Sequence, residues 1–137
     1  MVPLIDPKTK FGARAERRLR EDYIGWLVTV SQDGTPQPNP VWFLWEGDSF
    51  LIYAQPGIKV RHVRENPYVE VHLNSDEAGD DLVRASGRAT LGKTPPAYKV
   101  PAYVRKYGSQ MKGYGWSPEE FSRRYPHVIR IRKPTFH

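Results

Sequence analysis

The residues best suited to bind an anion lie in one short basic segment, residues 57–64, with the sequence GIKVRHVR. The segment follows a strand-like run that ends at Gln55 and Pro56. A strand that turns into a helix leaves backbone N–H groups free, and the helix dipole favours a phosphate beside them. Lys59 adds a full positive charge in the first turn, and Arg61 follows it. The pattern predicts an anion site with Lys59 and Arg61 as its cations; a solvated basic helix is the alternative.

Other kinds of site find little support in the residue types. The chain has no cysteine, which excludes a disulfide, a Cys-ligated zinc and a thiol nucleophile. Its four histidines show no i,i+4 pairing of the kind that binds a metal. The acidic loop at residues 75–81 lacks the oxygen spacing of a calcium loop. We therefore assign no metal ligand and no catalytic residue, whereas a reaction carried by a bound cofactor remains open.

The length, composition and net charge of the chain indicate which kinds of ligand it can bind. The chain has 137 residues, which predicts one domain spanning residues 1–137. Lys and Arg number 21 against 15 Asp and Glu, and the net charge of +6 suits a phosphorylated cofactor, an acidic ligand or nucleic acid. No apolar run approaches the length of a membrane span, and the N-terminus lacks a signal-like apolar stretch. We expect a soluble, cytoplasmic protein.

Six short strands are predicted to position the basic segment. Alternating or β-branched runs occupy residues 24–31, 41–45, 50–54, 68–73, 82–91 and 127–133. Asp33 and Gly34 mark a hairpin after the first strand. Pro36, Pro38 and Pro40 precede the second, so this part is expected to be an edge or a bulge whose backbone carbonyls can meet a ligand. The pattern predicts a mainly β (α+β) fold, a six-stranded antiparallel barrel with peripheral helices.

The peripheral helices are predicted from apolar spacing and capping residues. Residues 11–22 form an amphipathic helix, and residues 101–112 form a second one. Ser117, Pro118 and Glu120 occupy the N-cap, N1 and N3 positions of a third. Four arginines cover the first helix and could touch nucleic acid, although a solvated helix face is the favoured interpretation: Arg14, Arg17, Arg18 and Arg20.

Four motifs, in this order and spacing, resemble the split β-barrel flavin-binding superfamily of pyridoxamine 5′-phosphate oxidase. They are Asp33-Gly34-Thr35-Pro36, Pro40-Val41-Trp42-Phe43, Lys59-Val60-Arg61-His62-Val63 and Asn66-Pro67-Tyr68-Val69. The C-terminal run YPHVIRIRKP, residues 125–134, also looks like the closing strand of the actinobacterial-type branch that uses the deazaflavin coenzyme F420. The resemblance spans about residues 24–134.

The resemblance implies a homodimer that holds the cofactor in a groove between subunits. It maps Lys59 onto the phosphate-binding lysine, with Ile58, Val60 and Arg61 beside it. It places Asn39, Pro40, Val41 and Trp42 along the isoalloxazine-type ring, and Tyr53, Ala54 and Gln55 on the strand end that leads to the phosphate. Two departures argue against vitamin B6 oxidase activity: Gly57 and Ile58 stand where a second basic residue is usual, and the C-terminal arginine and tryptophan motif is missing.

We therefore expect an F420-dependent oxidoreductase that transfers a hydride between reduced deazaflavin and a small conjugated acceptor. FMN is the alternative cofactor, and the net charge of +6 favours F420 because its polyglutamate tail adds carboxylates. Two other classes stay open: a non-catalytic carrier of a flavin or deazaflavin, and a nucleic-acid binder that relies on the arginines of the first helix.

Overall fold

Antiparallel strands form most of the computed structural model, which describes residues 5–137. The strands are β1 (Gly25–Val30), β2 (Pro36–Val41), β3 (Leu44–Trp45), β4 (Ser49–Ala54), β5 (Tyr68–Leu73), β6 (Arg84–Gly92), β7 (His127–Arg132) and β8 (Thr135–Phe136). The helices are α1 (Lys10–Glu21), α2 (Ile58–Glu65), α3 (Pro101–Gly113) and α4 (Pro118–Arg124). The sheet runs β2-β1-β5-β6-β7-β4-β3, with β8 also on β6, and curls into a half-barrel. The predicted mainly β class is confirmed.

The predicted number of six strands is wrong, because the described chain contains eight. The predicted strand at residues 41–45 is broken after Val41, where the chain leaves β1 and begins to pair with β4. At the break, the N–H of Phe43 donates to the hydroxyl of Tyr107 at 2.8 Å, and its carbonyl accepts from Nζ of Lys106 at 2.9 Å. Side chains of α3 thus satisfy the backbone that a neighbouring strand would otherwise pair.

The second unpredicted strand, β8, follows a local interruption at the C-terminus. Lys133 adopts a left-handed backbone with φ of 47°, and Pro134 follows it. The chain then pairs again, with Phe136 opposite Ala85 and Thr135 opposite Ser86. Two residues are too few to give a periodic signal, so the sequence pattern ends with β7.

The two halves of the sheet meet along β6, its longest strand. Residues 84–88 pair with β5, and residues 89–92 pair with β7. Small residues alternate along β6, at Ala85, Gly87 and Ala89. At Gly87 an added Cβ would lie 2.8 Å from the Cγ2 of Ile131, so the neighbour there is a β7 side chain. The position is therefore restricted to glycine by packing.

Local sequence signals explain most of the remaining geometry. Gly34, with φ of 91°, closes the predicted hairpin between β1 and β2. Val69, Val71 and Leu73 of β5 are buried as the alternation predicts. The hydroxyl of Ser117 accepts from the N–H of Glu120 at 3.1 Å and caps α4. These elements form where the pattern and the capping residue agree.

The helix α1 packs its apolar stripe inward and pairs most of its arginine cluster. Ala15 and Leu19 are fully buried. Arg14 pairs with Asp81 at 2.8 Å, Arg18 with Asp22 at 2.6 Å, and Arg20 with Glu16 at 2.6 Å. These arginines are therefore compensated within the chain, which supports the interpretation of this helix as a structural element.

The buried side chains form two clusters. The larger lies inside the half-barrel and is mainly aliphatic, with Leu27, Phe43, Ile52, Ile129 and Ile131 at its centre. The smaller is mainly aromatic and lies where α3 and α4 pack on β4 and β7. Its largest fully buried members are Tyr103, Tyr107 and Phe121. One wall of the cavity described next comes from this second cluster.

Candidate functional site

A cavity of about 370 Å³ opens between the end of β2, the end of β4, the start of α2 and the α3–α4 connection. Ligand sites in proteins usually fall between about 300 and 1,000 Å³. Its lining is dominated by aromatic side chains and contains one cation: Ile24, Pro40, Val41, Trp42, Tyr53, Ala54, Gln55, Lys59, Tyr114, Trp116, Phe121 and Tyr125. Seven of the eleven residues predicted to bind a cofactor lie here together.

Trp42 is the central aromatic side chain of this lining. Its ring stacks on Tyr107 with centroids 4.7 Å apart and planes at 4°, and on Phe121 at 5.5 Å and 11°. It is held between these two rings just before the break after β2. The indole therefore has a fixed orientation, and its exposed edge can contact a planar ligand.

The end of β4 supplies a neutral polar wall. Tyr53 is buried, and its hydroxyl donates to the carbonyl of Pro95 at 2.7 Å. Burial raises the pKa of Tyr53 to about 12, so its hydroxyl stays protonated at neutral pH. Ala54 is buried, whereas Gln55 is exposed at the cavity. These residues can shape the cavity but offer no negative charge.

Lys59 lies in the first turn of α2. It is half-buried, and burial lowers the pKa of its ammonium, because desolvation disfavours the charged form. It takes part in none of the ion pairs within residues 5–137. No side chain caps the start of α2, so the first N–H groups of the helix lack a partner of that kind. A phosphate would satisfy both the ammonium and these donors.

Four of the predicted residues lie outside this cavity. Ile58 and Arg61 line a separate open depression beside the β1–β2 turn, together with His62 and Asp33. Val60 is buried in the larger cluster, where it packs α2 onto the half-barrel. Asn39 is partly buried on β2 but does not line the cavity. Their predicted contact with a cofactor is therefore not explained by the cavity itself.

Sequence reasoning missed the opposite wall, which is Tyr114, Trp116, Phe121 and Tyr125. The rings of Tyr114 and Trp116 stack at 4.8 Å, and those of Phe121 and Tyr125 at 4.6 Å. Gly115, with φ of 80°, turns the chain between α3 and α4. The one available signal was the density of aromatic residues between positions 114 and 125, which does not show where they pack.

The ionisable side chains that line the cavity are one lysine and three tyrosines. No carboxylate and no imidazole occurs among its lining residues. Within residues 5–137 no three His, Asp or Glu side chains are arranged to hold a metal ion. Over the same residues, no helix has the length and apolar character needed to cross a membrane. The donor set fits a planar ring that carries a phosphate, because aromatic surfaces and an unpaired ammonium meet in one cavity.

Comparison with known proteins gives one family and several related folds. The family described as pyridoxamine 5′-phosphate oxidase matches residues 11–132, nearly the whole chain. A solved F420 reductase is 23% identical, covers 89% of this chain and 94% of its own, and superposes with a TM-score of 0.66.

Two further solved structures share the fold at lower identity. A FAD-binding protein of Mesorhizobium loti is 19% identical over 90% of this chain and 88% of its own, with a TM-score of 0.63. The heme storage protein HutZ of Vibrio cholerae is 13% identical over 87% of each chain, with a TM-score of 0.59. At these identities the likeness is one of fold.

Proposed function

Since the chain belongs to the pyridoxamine 5′-phosphate oxidase family of flavin-binding oxidoreductases, we propose that it binds coenzyme F420 in the aromatic cavity. We propose further that the bound coenzyme reduces a small conjugated acceptor. One observation supports this proposal most. Lys59, which is half-buried and has no ion-pair partner within the described residues, lies in the same cavity as six aromatic side chains, Trp42 among them. A phosphate and a flat ring are the two ligand parts that such a cavity can recognise.

The chain's own residues would bind and orient the coenzyme. Lys59 and the start of α2 would bind the phosphate through charge-assisted hydrogen bonds. Pro40, Val41 and Trp42 would pack against the ring and fix its plane, and Trp116 would help to exclude water. When bound, the reduced deazaflavin would supply the hydride. No side chain is assigned as a general acid, because the lining holds neither a carboxylate nor an imidazole.

F420 is preferred to FMN on grounds of charge. The net charge of +6 favours the ligand with more carboxylates. Arg61, two residues after Lys59, lines the neighbouring depression, where it could bind a carboxylate of the tail. Fluorescence-quenching titrations with F420 and with FMN test this preference. We expect tighter binding of F420, and Arg61→Ala should weaken F420 more than FMN; equal or stronger binding of FMN would reject the preference.

A non-catalytic carrier is the second candidate, because neither a carboxylate nor an imidazole lines the cavity to act as a general acid. The two candidates differ in turnover. After loading with F420 and desalting, the protein would be mixed with reduced coenzyme and a panel of quinone and nitro-aromatic acceptors. Loss of the reduced form faster than in a protein-free control supports the oxidoreductase. Tight binding without any acceleration supports the carrier.

We propose a homodimer in which the partner covers the outer face of the sheet. Trp26 and Val28 of β1, the strand beside the edge strand β2, point to this face and are only partly buried. They lie opposite Pro40 and Pro38 of β2, and Pro40 also lines the cavity. Burying this apolar face against a second copy would remove it from water and would place the partner beside the cavity.

A further inference from the structure

A second unusual lysine, Lys106, lies outside the cavity described above. It belongs to α3, and it lines a separate cavity of about 470 Å³ between α1, β3 and α3. The lining includes Arg20 and Glu21 of α1 and Arg105 of α3. The site therefore combines three cations with one carboxylate. It shares no lining residue with the cavity proposed to bind the coenzyme.

The groups in direct contact with the Lys106 ammonium are uncharged. Nζ donates to the carbonyl oxygen of Phe43 at 2.9 Å. It lies 3.9 Å from the ring centroid of Phe43 and 5.3 Å from that of Tyr107. It joins none of the ion pairs formed by the described residues. The amine is fixed in position by a hydrogen bond and aromatic contacts rather than by a carboxylate.

We propose that Lys106 is a site of covalent acylation and that the cavity around it binds an acyl phosphate. Arg105 is exposed at the rim and is absent from the ion pairs of the described chain, so its planar guanidinium is available for a phosphate. Arg20 lines the same cavity but also pairs with Glu16 at 2.6 Å. A dianionic phosphate bound at this rim would bring its acyl carbon to the amine.

The reaction needs no further reactant. The neutral amine of Lys106 attacks the carbonyl carbon of the acyl phosphate, and an N–C bond forms. The C–O bond to phosphate breaks and its electron pair leaves with inorganic phosphate. The nitrogen then loses a proton, the departing phosphate takes up a proton to become HPO4²⁻, and an amide remains. No atom changes oxidation state.

The charge state of Lys106 suits this reaction. Burial lowers its pKa to about 8, and the charge of Asp22 opposes the shift. Arg20, Glu21 and Arg105 are the other charged residues that line this cavity. With a pKa about 8, roughly a quarter of the side chain is neutral at about pH 7.5, against about one part in a thousand for an ordinary lysine. The lower basicity reduces the intrinsic nucleophilicity of the amine and offsets part of this gain.

Acylation would have a structural consequence for the neighbouring cavity. The ammonium contacts Phe43, and Trp42 precedes Phe43 in the chain. Trp42 in turn stacks on Tyr107, which neighbours Lys106 in α3. Removal of the charge would abolish the cation–π contacts that fix this break in the strand. The indole of Trp42 would then be held less firmly. Acylation of Lys106 would thereby alter the shape of the aromatic cavity.

The test is site-resolved acetylation of the full chain without any coenzyme. The protein is incubated with acetyl phosphate at pH 7.5, and peptide mass spectrometry follows each lysine over time. Lys112, exposed on the same helix, is the internal reference. We expect Lys106 to react at least tenfold faster than Lys112, with a rate that levels off above about pH 8 while that of Lys112 continues to rise. Equal rates would overturn the proposal.

A variant and a competitor test the phosphate part of the proposal. Arg105→Gln should slow acetylation of Lys106 severalfold and leave Lys112 unchanged, and inorganic phosphate should protect Lys106 selectively. Circular dichroism would confirm that the variant is folded. If Lys106 reacts quickly but neither change affects it, the acyl phosphate site is rejected. Because no coenzyme is present, failure here leaves the proposed function untouched.

Discussion

At the scale of single residues, two lysines differ from the rest in what surrounds them. Lys59 and Lys106 are both half-buried, both have a pKa lowered by burial, and neither is in an ion pair of the described chain. A buried cation without a carboxylate is unfavourable for the unbound protein. A lysine in such surroundings is a candidate for binding an external anion or for a reaction of its amine.

The first prediction concerns Lys59. Loss of a charge-assisted contact to phosphate costs roughly 1.5–3 kcal/mol, so Lys59→Ala should weaken coenzyme binding by about tenfold to a hundredfold. The melting temperature of the unbound protein should stay within about a degree, because the side chain has no ion pair to lose. Fluorescence titration and thermal unfolding measure the two effects.

Two control variants sharpen the test of Lys59. Arg64→Ala removes the same charge from the same helix at an exposed position that does not line the cavity, and it should leave affinity nearly unchanged. Lys59→Arg should restore part of the affinity, because a planar guanidinium replaces a compact ammonium. Normal binding by Lys59→Ala together with a large drop in melting temperature would show that Lys59 is structural.

The second prediction uses pH. The pKa of Lys106 is about 8 in the folded chain and about 10.4 in an unfolded one. Between these values the unfolded chain binds more protons, so stability rises with pH through this window. The wild type should therefore gain free energy of unfolding relative to Lys106→Met between pH 8 and pH 10. Urea unfolding at both pH values measures it; a constant difference would contradict the lowered pKa.

At the scale of elements, α3 fixes the break between β2 and β3. The Tyr107 hydroxyl accepts from the Phe43 N–H at 2.8 Å, and carbonyl oxygens of Tyr23 and Phe43 lie 2.7 and 2.9 Å away as acceptors for its proton. Tyr103, one turn earlier, is equally buried, but its hydroxyl has no partner within residues 5–137. The two tyrosines thus share a helix face and a cluster and differ in hydrogen bonding.

This pair gives the third prediction. Tyr107→Phe leaves the buried N–H of Phe43 unpaired and should lower the free energy of unfolding by about 1–3 kcal/mol. Tyr103→Phe removes an unpaired hydroxyl from the same cluster and should be neutral or stabilising. Denaturant unfolding of the two variants side by side measures the contrast. Equal losses would mean that ring packing alone decides stability at both positions.

The elements were predictable where one local signal was sufficient. The hairpin at Gly34, the cap at Ser117 and the alternation of β5 depend on a few adjacent residues, and all three are confirmed. The break at Phe43 depends on Tyr107, which lies 64 positions away in sequence. The sequence pattern of a strand cannot show that the hydroxyl of a residue far along the chain will accept the backbone hydrogen bond that a neighbouring strand would otherwise accept.

The residues of the candidate site likewise fall into those that the sequence predicted and those that it did not. Pro40, Val41, Trp42 and Lys59 were found because motif order placed them near one another, and they line one cavity. Trp116 and Tyr125 were missed because their position depends on how α3 and α4 pack against β4, and an aromatic residue alone does not specify a packing partner. Ile58 and Val60 adjoin Lys59 in sequence, but helical geometry turns them to other surroundings.

At the scale of the whole molecule, the outer face of the sheet leads to the fourth prediction. Val28 lies on this face of β1, between Pro38 of β2 and Glu70 of β5. If a second copy covers it, Val28→Arg should give a monomer and weaken coenzyme binding, because the interface would have to desolvate a large charged side chain, even with Glu70 opposite it. Light scattering at micromolar concentration, with and without coenzyme, measures assembly.

An exposed apolar position elsewhere serves as the matched control for Val28. Leu82→Arg adds the same charge between β5 and β6 and should leave assembly unchanged. A wild-type monomer that still binds the coenzyme would contradict the homodimer and would show that one chain completes the cavity alone.

The proline-rich strand β2 has one further consequence, which concerns amyloid-type aggregation. Pro36, Pro38 and Pro40 alternate along a strand at the end of the sheet order, so their three nitrogens face the same way. Prolines are tolerated in a strand when these nitrogens face away from the ladder. The free side of β2 then offers acceptors without donors at three positions, and a strand from a misfolded neighbour finds no complete hydrogen-bond template there. We therefore expect fibril growth to be disfavoured at this edge of the sheet.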